Sequence, residues 1–110
     1  MTDFLHITTT AGSRDEANQV ARALVERRLA GCVQILGPIK SVYRWGGQVE
    51  QGEEWLCLIK TSSDQFAAIE AAIGELSSYE CPEIIATPIT AGSTAYLSWL
   101  RRQLSSRGGA

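Results

Sequence analysis

Two adjacent glycines, Gly46 and Gly47, interrupt a long segment rich in β-branched and aromatic residues, and they constrain the fold more than any other feature. A two-residue glycine loop between strand-forming segments predicts a β-hairpin, because glycine reaches positive φ without steric cost. The predicted hairpin covers 32–61, with arms of roughly fourteen residues that extend about 45 Å at about 3.3 Å per residue. A compact domain of this size has a radius of gyration of about 13 Å, so the arms should extend beyond their own domain.

The far part of the hairpin carries Val42, Tyr43, Trp45 and Val49. An exposed patch of this kind marks an interaction surface, because large apolar side chains are unfavourable in water. We therefore expect the hairpin to pack on another subunit.

Length and composition limit the size of the fold and the classes of partner. The 110 residues, of which 45% are hydrophobic, suit one domain over 1–110, with a polar tail at 105–110 that we expect to fray. A net charge of −2 gives no basic surface for nucleic acid. No apolar stretch approaches the roughly eighteen residues of a membrane span, so membrane association is not expected. The N-terminal segment lacks a secretory signal and the three cysteines cannot all pair, which together favour reduced thiols and a cytoplasmic location.

The other segments alternate between strand and helix periodicity. With the hairpin they predict the order βαββαβ followed by a C-terminal helix, which is the split βαβ pattern of a ferredoxin-like α+β domain. The elements expected outside the hairpin are strands over 4–10 and 83–89 and helices over 13–31, 62–76 and 93–104.

Helix-end signals support these elements. Ser13 with Glu16 forms a capping box for the first helix, which Gly31 should end, and Ser62 with Gln65 forms one for the second. The first helix has an apolar stripe that should pack on a sheet or on another helix, formed by Ala17, Val20, Ala21, Leu24 and Val25.

Proline positions predict the order of the strands. Right-handed crossovers place the first and third strands at the centre of the sheet and the second and fourth at its edges. Pro38 and Pro88 then both lie on edge strands, where a missing backbone donor is tolerated. We expect irregularities in the hairpin at Gly37-Pro38 and at Gly52.

Few residues offer catalytic or metal-binding chemistry. His6, the one histidine, lies inside a predicted strand, where a packed imidazole is weighed against a ligand or acid/base role. Cys32, Cys57 and Cys81 form no CxxC pair, so core packing is weighed against soft-metal binding that would join these thiols with His6. No residue set resembles an activated nucleophile beside its base, so an enzyme is not expected.

Aromatic and charged residues allow two interpretations each. Tyr43, Trp45 and Trp55 suit stacking on a planar ligand, although aromatic residues on overhanging strands are more often interface anchors. Glu83 and Lys60 suit either structural ion pairing or contact with a ligand.

Three segments, in the expected order, resemble the CutA family of divalent-cation tolerance proteins. They are RLAGCVQILGPIKSVYRWGGQVEQGEEWLCLIKTS over 28–62, SSYECPEIIATPI over 77–89 and STAYLSWL over 93–100. The combination of Tyr-x-Trp, Pro-Glu-Ile and Tyr-Leu-x-Trp is specific. The resemblance implies a ferredoxin-like fold, a homotrimer built through the long hairpin with an architecture similar to PII signalling proteins, and association with tolerance of copper and other divalent cations.

The resemblance also assigns expectations to particular residues. Cys32 occupies a position where the family commonly has a cysteine, so it is the first metal-ligand candidate, ahead of His6 and Cys81. The residues that match positions of the family's intersubunit cleft are Tyr43, Trp45, Lys60, Tyr79, Glu83 and Trp99. Two departures weaken the expectation of metal binding: Ser77-Ser78 stands where His-Pro is usual, and Gln34 stands where asparagine is common.

The leading interpretation is therefore a non-enzymatic homotrimer that binds copper or another divalent cation weakly. The alternative is a PII-like regulatory protein that binds a small anionic metabolite in intersubunit clefts, with Lys60 and nearby arginines as contacts. A small hydrolase on the same fold is the third interpretation.

Overall fold

In a computed structural model, the chain forms four strands, three α-helices and one 3-10 turn, and the structure describes residues 3–105. The order is the predicted ferredoxin-like βαββαβ followed by a C-terminal helix. The elements are β1 (Phe4–Ala11), α1 (Arg14–Glu26), β2 (Cys32–Trp45), β3 (Gln48–Ser62), the 3-10 turn (Ser63–Gln65), α2 (Phe66–Leu76), β4 (Ile85–Pro88) and α3 (Thr94–Gln103). The tail expected to fray is 105–110, of which 106–110 lie outside the described residues. The backbone N–H of Ser105 donates to the Arg28 carbonyl at 2.9 Å.

The four strands form one sheet in the order β2-β3-β1-β4, and each neighbouring pair is antiparallel. Pro38 and Pro88 therefore lie on the edge strands, as predicted. The register between β2 and β3 shifts between Leu36 and Ile39, which confirms the irregularity at Gly37-Pro38. The expected bulge at Gly52 is wrong, because Gly52 pairs with Ser41 in continuous register.

One face of the sheet is covered by α1 and α2 and forms the core. Ile7 and Ile59 pair across β1 and β3 and are fully buried, together with Leu24, Ile69 and Ile73 from the two helices. Side chains alternate along a strand, so the residues between these core positions point to the other face. We call this second face the open face; its apolar members include Leu36, which pairs with Leu56, and Leu58 and Ile85, which both pair with Thr8.

The first helix begins as predicted and ends early. The Ser13 hydroxyl oxygen accepts a hydrogen bond from the Glu16 backbone N–H at 3.1 Å, which confirms the cap. The helix ends at Glu26, because Arg28 adopts a left-handed φ of 61°. Gly31 has a different role: a Cβ there would lie 2.4 Å from Leu100 Cδ1, so the close approach of α3 requires glycine. Val25 is 43% exposed and is not part of the buried stripe.

The capping box predicted for the second helix is wrong. Ser62 ends β3, and its hydroxyl donates to the carboxylate of Asp64. Gln65 is fully buried, and its side-chain Nε2 donates to the Ser105 carbonyl at 2.7 Å. A 3-10 turn therefore occupies the predicted first turn, and α2 begins at Phe66. The last strand is also shorter than the predicted 83–89.

The hairpin has the predicted length and loop. Its arms contain 14 and 15 residues, and Gly46 and Gly47 have φ of 58° and 79°. The molecule measures 44 × 26 × 21 Å along its principal axes. The hairpin tip, which we define as Val42, Tyr43, Trp45 and Val49, has side chains between 47% and 66% exposed. In the described range 3–105, no helix is both long and apolar enough to cross a membrane.

Candidate functional site

The structure places most of the predicted site residues in two separate regions on the open-face side of the sheet. The first region is a row across three strands, in which Lys60 on β3 pairs with His6 on β1 and with Cys32 on β2. The second region lies further along the sheet, where the loop before β4 contacts the hairpin. The sequence did not show that the candidates would divide in this way.

In the first region, Lys60 lies on the strand between two of the candidate metal ligands, His6 and Cys32. Lys60 Nζ donates a hydrogen bond to the side-chain carbonyl of Gln34. Burial lowers the pKa of His6, and the positive charge of Lys60 lowers it further, so the imidazole is neutral at physiological pH. His6 Nε2 is buried without a hydrogen-bond partner among the described residues. The neutral imidazole has the chemistry of a ligand, but Lys60 opposes a cation between His6 and Cys32.

Helix α3 contributes aromatic side chains near Cys32. Tyr96 and Trp99 lie one turn apart, with ring centroids separated by 5.6 Å. Burial raises the pKa of Tyr96, with a smaller contribution from the Cys32 thiol, which places this phenol close to the row. Trp99 lies beside Tyr96 on α3 and is not among the residues that line the second region.

The second region is organised around the carboxylate of Glu54. Tyr79 Oη donates a hydrogen bond to Glu54 Oε2 at 2.8 Å and so attaches the loop before β4 to β3. Burial alone would raise the pKa of Glu54, but hydrogen bonds from Ser41, Tyr79 and Thr10 outweigh it and lower the pKa below its usual value. Glu54 is therefore a fixed negative charge at neutral pH.

Tyr79 remains a neutral hydrogen-bond donor. Burial raises its pKa, and so do the hydrogen bond to Glu54 and the negative charge of that carboxylate. The ring lies against Gly12, where an added Cβ would be 3.3 Å from Tyr79 Oη. A side chain at Gly12 would therefore crowd the phenol, which would have to move by a few tenths of an ångström.

These residues line a cavity of about 380 Å³ that opens to the surface, which we call the Glu54 cavity. Its lining consists of Thr10, Ser41, Val42, Tyr43, Glu54, Tyr79, Cys81 and Glu83. Of the six predicted cleft residues, the structure brings together Tyr43, Tyr79 and Glu83. It places Trp45 at the hairpin tip, Lys60 in the row with His6 and Cys32, and Trp99 on α3.

Sequence reasoning missed Glu54, Ser41 and Thr10. Counting outward from Gly46-Gly47 pairs Tyr43 with Glu50 and Ser41 with Gly52, and the alternation then places Glu54 on the same face as Tyr43. This signal was present in the sequence. Thr10 lies on another element, so only the tertiary structure brings it to Glu54.

The three cysteines occupy three different environments. Cys57 is fully buried on the helix-covered face, Cys32 is half-buried on the open face, and Cys81 is exposed beside the Glu54 cavity. Burial raises the pKa of the Cys57 thiol to about 11, with a further contribution from Glu16. Within one chain the fold does not bring these thiols and His6 into a shared site. Across residues 3–105, no three His, Cys, Asp or Glu side chains converge as a metal site.

Comparison with known proteins identifies the family. The sequence pattern described as "CutA1 divalent ion tolerance protein" matches residues 5–103. The chain belongs to the CutA1 family. The fold and the expected family assignment are thereby confirmed.

Individual CutA proteins are similar over most of this chain. The divalent-cation tolerance protein CutA of Thermus thermophilus is 42% identical over 95 residues, which are 86% of this chain and 92% of that protein. Protein CutA of Homo sapiens is 39% identical over 93 residues, and the match spans 84% of this chain but 52% of the human protein. The crystal structure of CutA1 from Oryza sativa has a TM-score of 0.93 at 30% identity and covers 96% of each chain.

Proposed function

We propose that this protein acts as a non-enzymatic homotrimer in divalent-cation tolerance and binds copper or another divalent cation weakly. The observation that carries this proposal is the match to the CutA1 family over 5–103. A relative 42% identical to this chain bears the name "Divalent-cation tolerance protein CutA".

The apolar surfaces of the single chain support association. The hairpin tip is exposed, and so are Leu36 and Ile85 on the open face. Several large apolar side chains exposed on one small chain are typical of an interaction surface. The three-fold symmetry itself rests on the resemblance to the CutA family, in which the long hairpin builds a trimer.

Cys32 is the ligand that best suits a soft cation such as Cu(I), because thiolates bind soft metals preferentially. The described residues of one chain offer no complete set of ligands around it. A metal site at Cys32 would therefore take further ligands from neighbouring copies. Its affinity would be low, since Lys60 pairs directly with Cys32 across the two strands.

Calorimetric titration of the reduced protein with Cu(I) and with Cu(II) tests direct binding. Cys32→Ser should abolish a saturable heat that the wild type shows, whereas Cys81→Ser, a matched change at an exposed thiol, should leave it unchanged. Absence of saturable heat in the wild type, or equal loss in both variants, would remove the direct-binding proposal.

Light scattering at micromolar concentration tests the assembly separately. We expect a mass three times that of the 11.9 kDa chain. A stable particle with the mass of one chain would refute the trimer.

The charge of the Glu54 cavity does not favour the alternative of an anionic metabolite. Its described lining residues include Glu54 and Glu83 and no lysine or arginine. Lys60, which was the expected anion contact, lies in the other region and is hydrogen-bonded to Gln34. The free state of all three cysteines supports our proposal of a reducing compartment such as the cytoplasm.

A further inference from the structure

The Glu54 cavity combines negative charge with aromatic walls. Two carboxylates (Glu54 and Glu83) and two phenols (Tyr43 and Tyr79) contribute to its lining, and the described lining residues include no basic side chain. The volume of about 380 Å³ lies at the lower end of the range of small-molecule pockets. This chemistry complements a compact organic molecule with a positive charge.

The charge of Glu54 is pre-organised. Tyr79 Oη holds one carboxylate oxygen at 2.8 Å, and the hydroxyl groups of Ser41 and Thr10 also donate to this carboxylate. Hydroxyl donors fix the position of a carboxylate without neutralising its charge. A ligand would therefore meet an anion that is already oriented, so little side-chain entropy is lost on binding.

The same geometry does not suit a metal ion. A bound metal needs several ligand atoms within about 2.0–2.6 Å of one point. In the part of the chain that the structure describes, no three His, Cys, Asp or Glu side chains meet that requirement. An ammonium or guanidinium group needs only one or two carboxylates at hydrogen-bond distance and an aromatic ring within about 6 Å.

We propose that the Glu54 cavity binds a small organic cation with a primary ammonium or guanidinium group, and that Glu54 and Glu83 are its charge partners. The phenol rings of Tyr43 and Tyr79 form the walls. This site goes beyond the proposed role in divalent-cation tolerance, because it involves neither Cys32 nor a metal. It rests on the proposed trimer leaving the cavity open, since Tyr43 also belongs to the hairpin tip.

Titration with butylammonium and butylguanidinium tests the proposal, with 1-butanol as the neutral control of equal chain length. Binding is followed by calorimetry and by NMR shifts of residues 77–83. We expect saturable binding of at least one cation, no binding of 1-butanol, and weaker binding as salt concentration rises.

Two carboxamide variants and a matched control locate the charge partners. Glu54→Gln should raise the dissociation constant about tenfold or more, because a partly buried charge-assisted hydrogen bond is lost. Glu83→Gln, at an exposed position, should raise it about threefold. Glu53→Gln changes the net charge equally on the neighbouring residue, which points to the opposite face and pairs with Lys40, and it should leave binding unchanged.

Several results would overturn the proposal. They are equal binding of 1-butanol, equal effects of Glu53→Gln and Glu54→Gln, the absence of saturable binding by either cation, and displacement of butylammonium by stoichiometric Zn²⁺. If circular dichroism shows that Glu54→Gln does not fold, Glu83→Gln decides the outcome: no change in its affinity would also refute the site.

Discussion

A single charge at the hairpin tip tests whether this surface is buried between copies of the chain. Val49 is 66% exposed in the single chain. Full burial of a valine side chain contributes about 1.5–3 kcal/mol, so burial of the exposed part would contribute about 1–2 kcal/mol per chain. Val49→Asp removes this term and adds a carboxylate whose desolvation costs several kcal/mol. A combined loss above about 3 kcal/mol raises the dissociation constant of an interface more than a hundredfold.

Val25→Asp is the matched control. Val25 is 43% exposed and lies on α1, which packs on the opposite face of the sheet from the open face. The substitution and the charge are the same, but the site lies away from the hairpin. Sedimentation velocity at micromolar concentration should show dissociation of Val49→Asp and an unchanged assembly for Val25→Asp. Retention of the wild-type mass by Val49→Asp, or equal dissociation of both variants, would refute burial of the tip.

Three further predictions concern stability and reactivity. Gly31→Ala should lower the free energy of unfolding by about 1–3 kcal/mol, because its methyl group would overlap a buried leucine of α3. Gly74→Ala, with no atom near the added carbon, should raise it by about 0.5–1 kcal/mol; both are measured by urea unfolding at one protein concentration, and equal signs would contradict the packing argument. Folding lowers the pKa of Glu54 from 4.5, so its contribution to stability is present above about pH 4.5 and is lost as pH falls through the lowered pKa. The melting temperature of Glu54→Gln should therefore depend less on pH in this acidic range, and an unchanged dependence would contradict that assignment. At neutral pH, maleimide should modify exposed Cys81 long before Cys57, whose pKa is about 11, as followed by mass spectrometry; equal rates would contradict the burial of Cys57.

The parts of the fold that were predictable from sequence depend on local chemistry. Gly46-Gly47 defines the hairpin because its backbone conformation is local, and Ser13 caps α1 through a bond to a residue three positions later. The prolines indicated the edge strands because each lacks a donor. Each of these signals acts within a few residues or reflects a missing group, so a long-range contact does not override it.

The wrong predictions arise where a distant residue takes a group that the local pattern assigned elsewhere. Gln65 suited a capping box, but its amide binds the carbonyl of Ser105, forty residues later. Gly31 suited a helix stop, but its role is to admit Leu100 of α3. The two residues of each pair lie far apart in the sequence, so a local sequence pattern does not detect their contact.

The candidate site was predicted only in part, because it too depends on contacts between residues that are distant in the sequence. Tyr43, Tyr79 and Glu83 were expected together and meet at the Glu54 cavity. Glu53 and Glu54 are adjacent and chemically identical, so residue type alone does not distinguish them. Only the alternation along the strand assigns their side chains to opposite faces of the sheet. Lys60 was expected with this group, but the register places it between His6 and Cys32.

The hairpin tip is apolar on both sides of its ribbon. Val42 and Val49 point to the side of the helix-covered face, whereas Tyr43 and Trp45 point to the side of the open face. A single contacting surface can exclude water from only one side of a two-stranded ribbon. In the proposed trimer, each hairpin tip can contact a surface on both of its sides. In a dimer, only one apolar side of each tip would be buried, and the third chain would bury the other side.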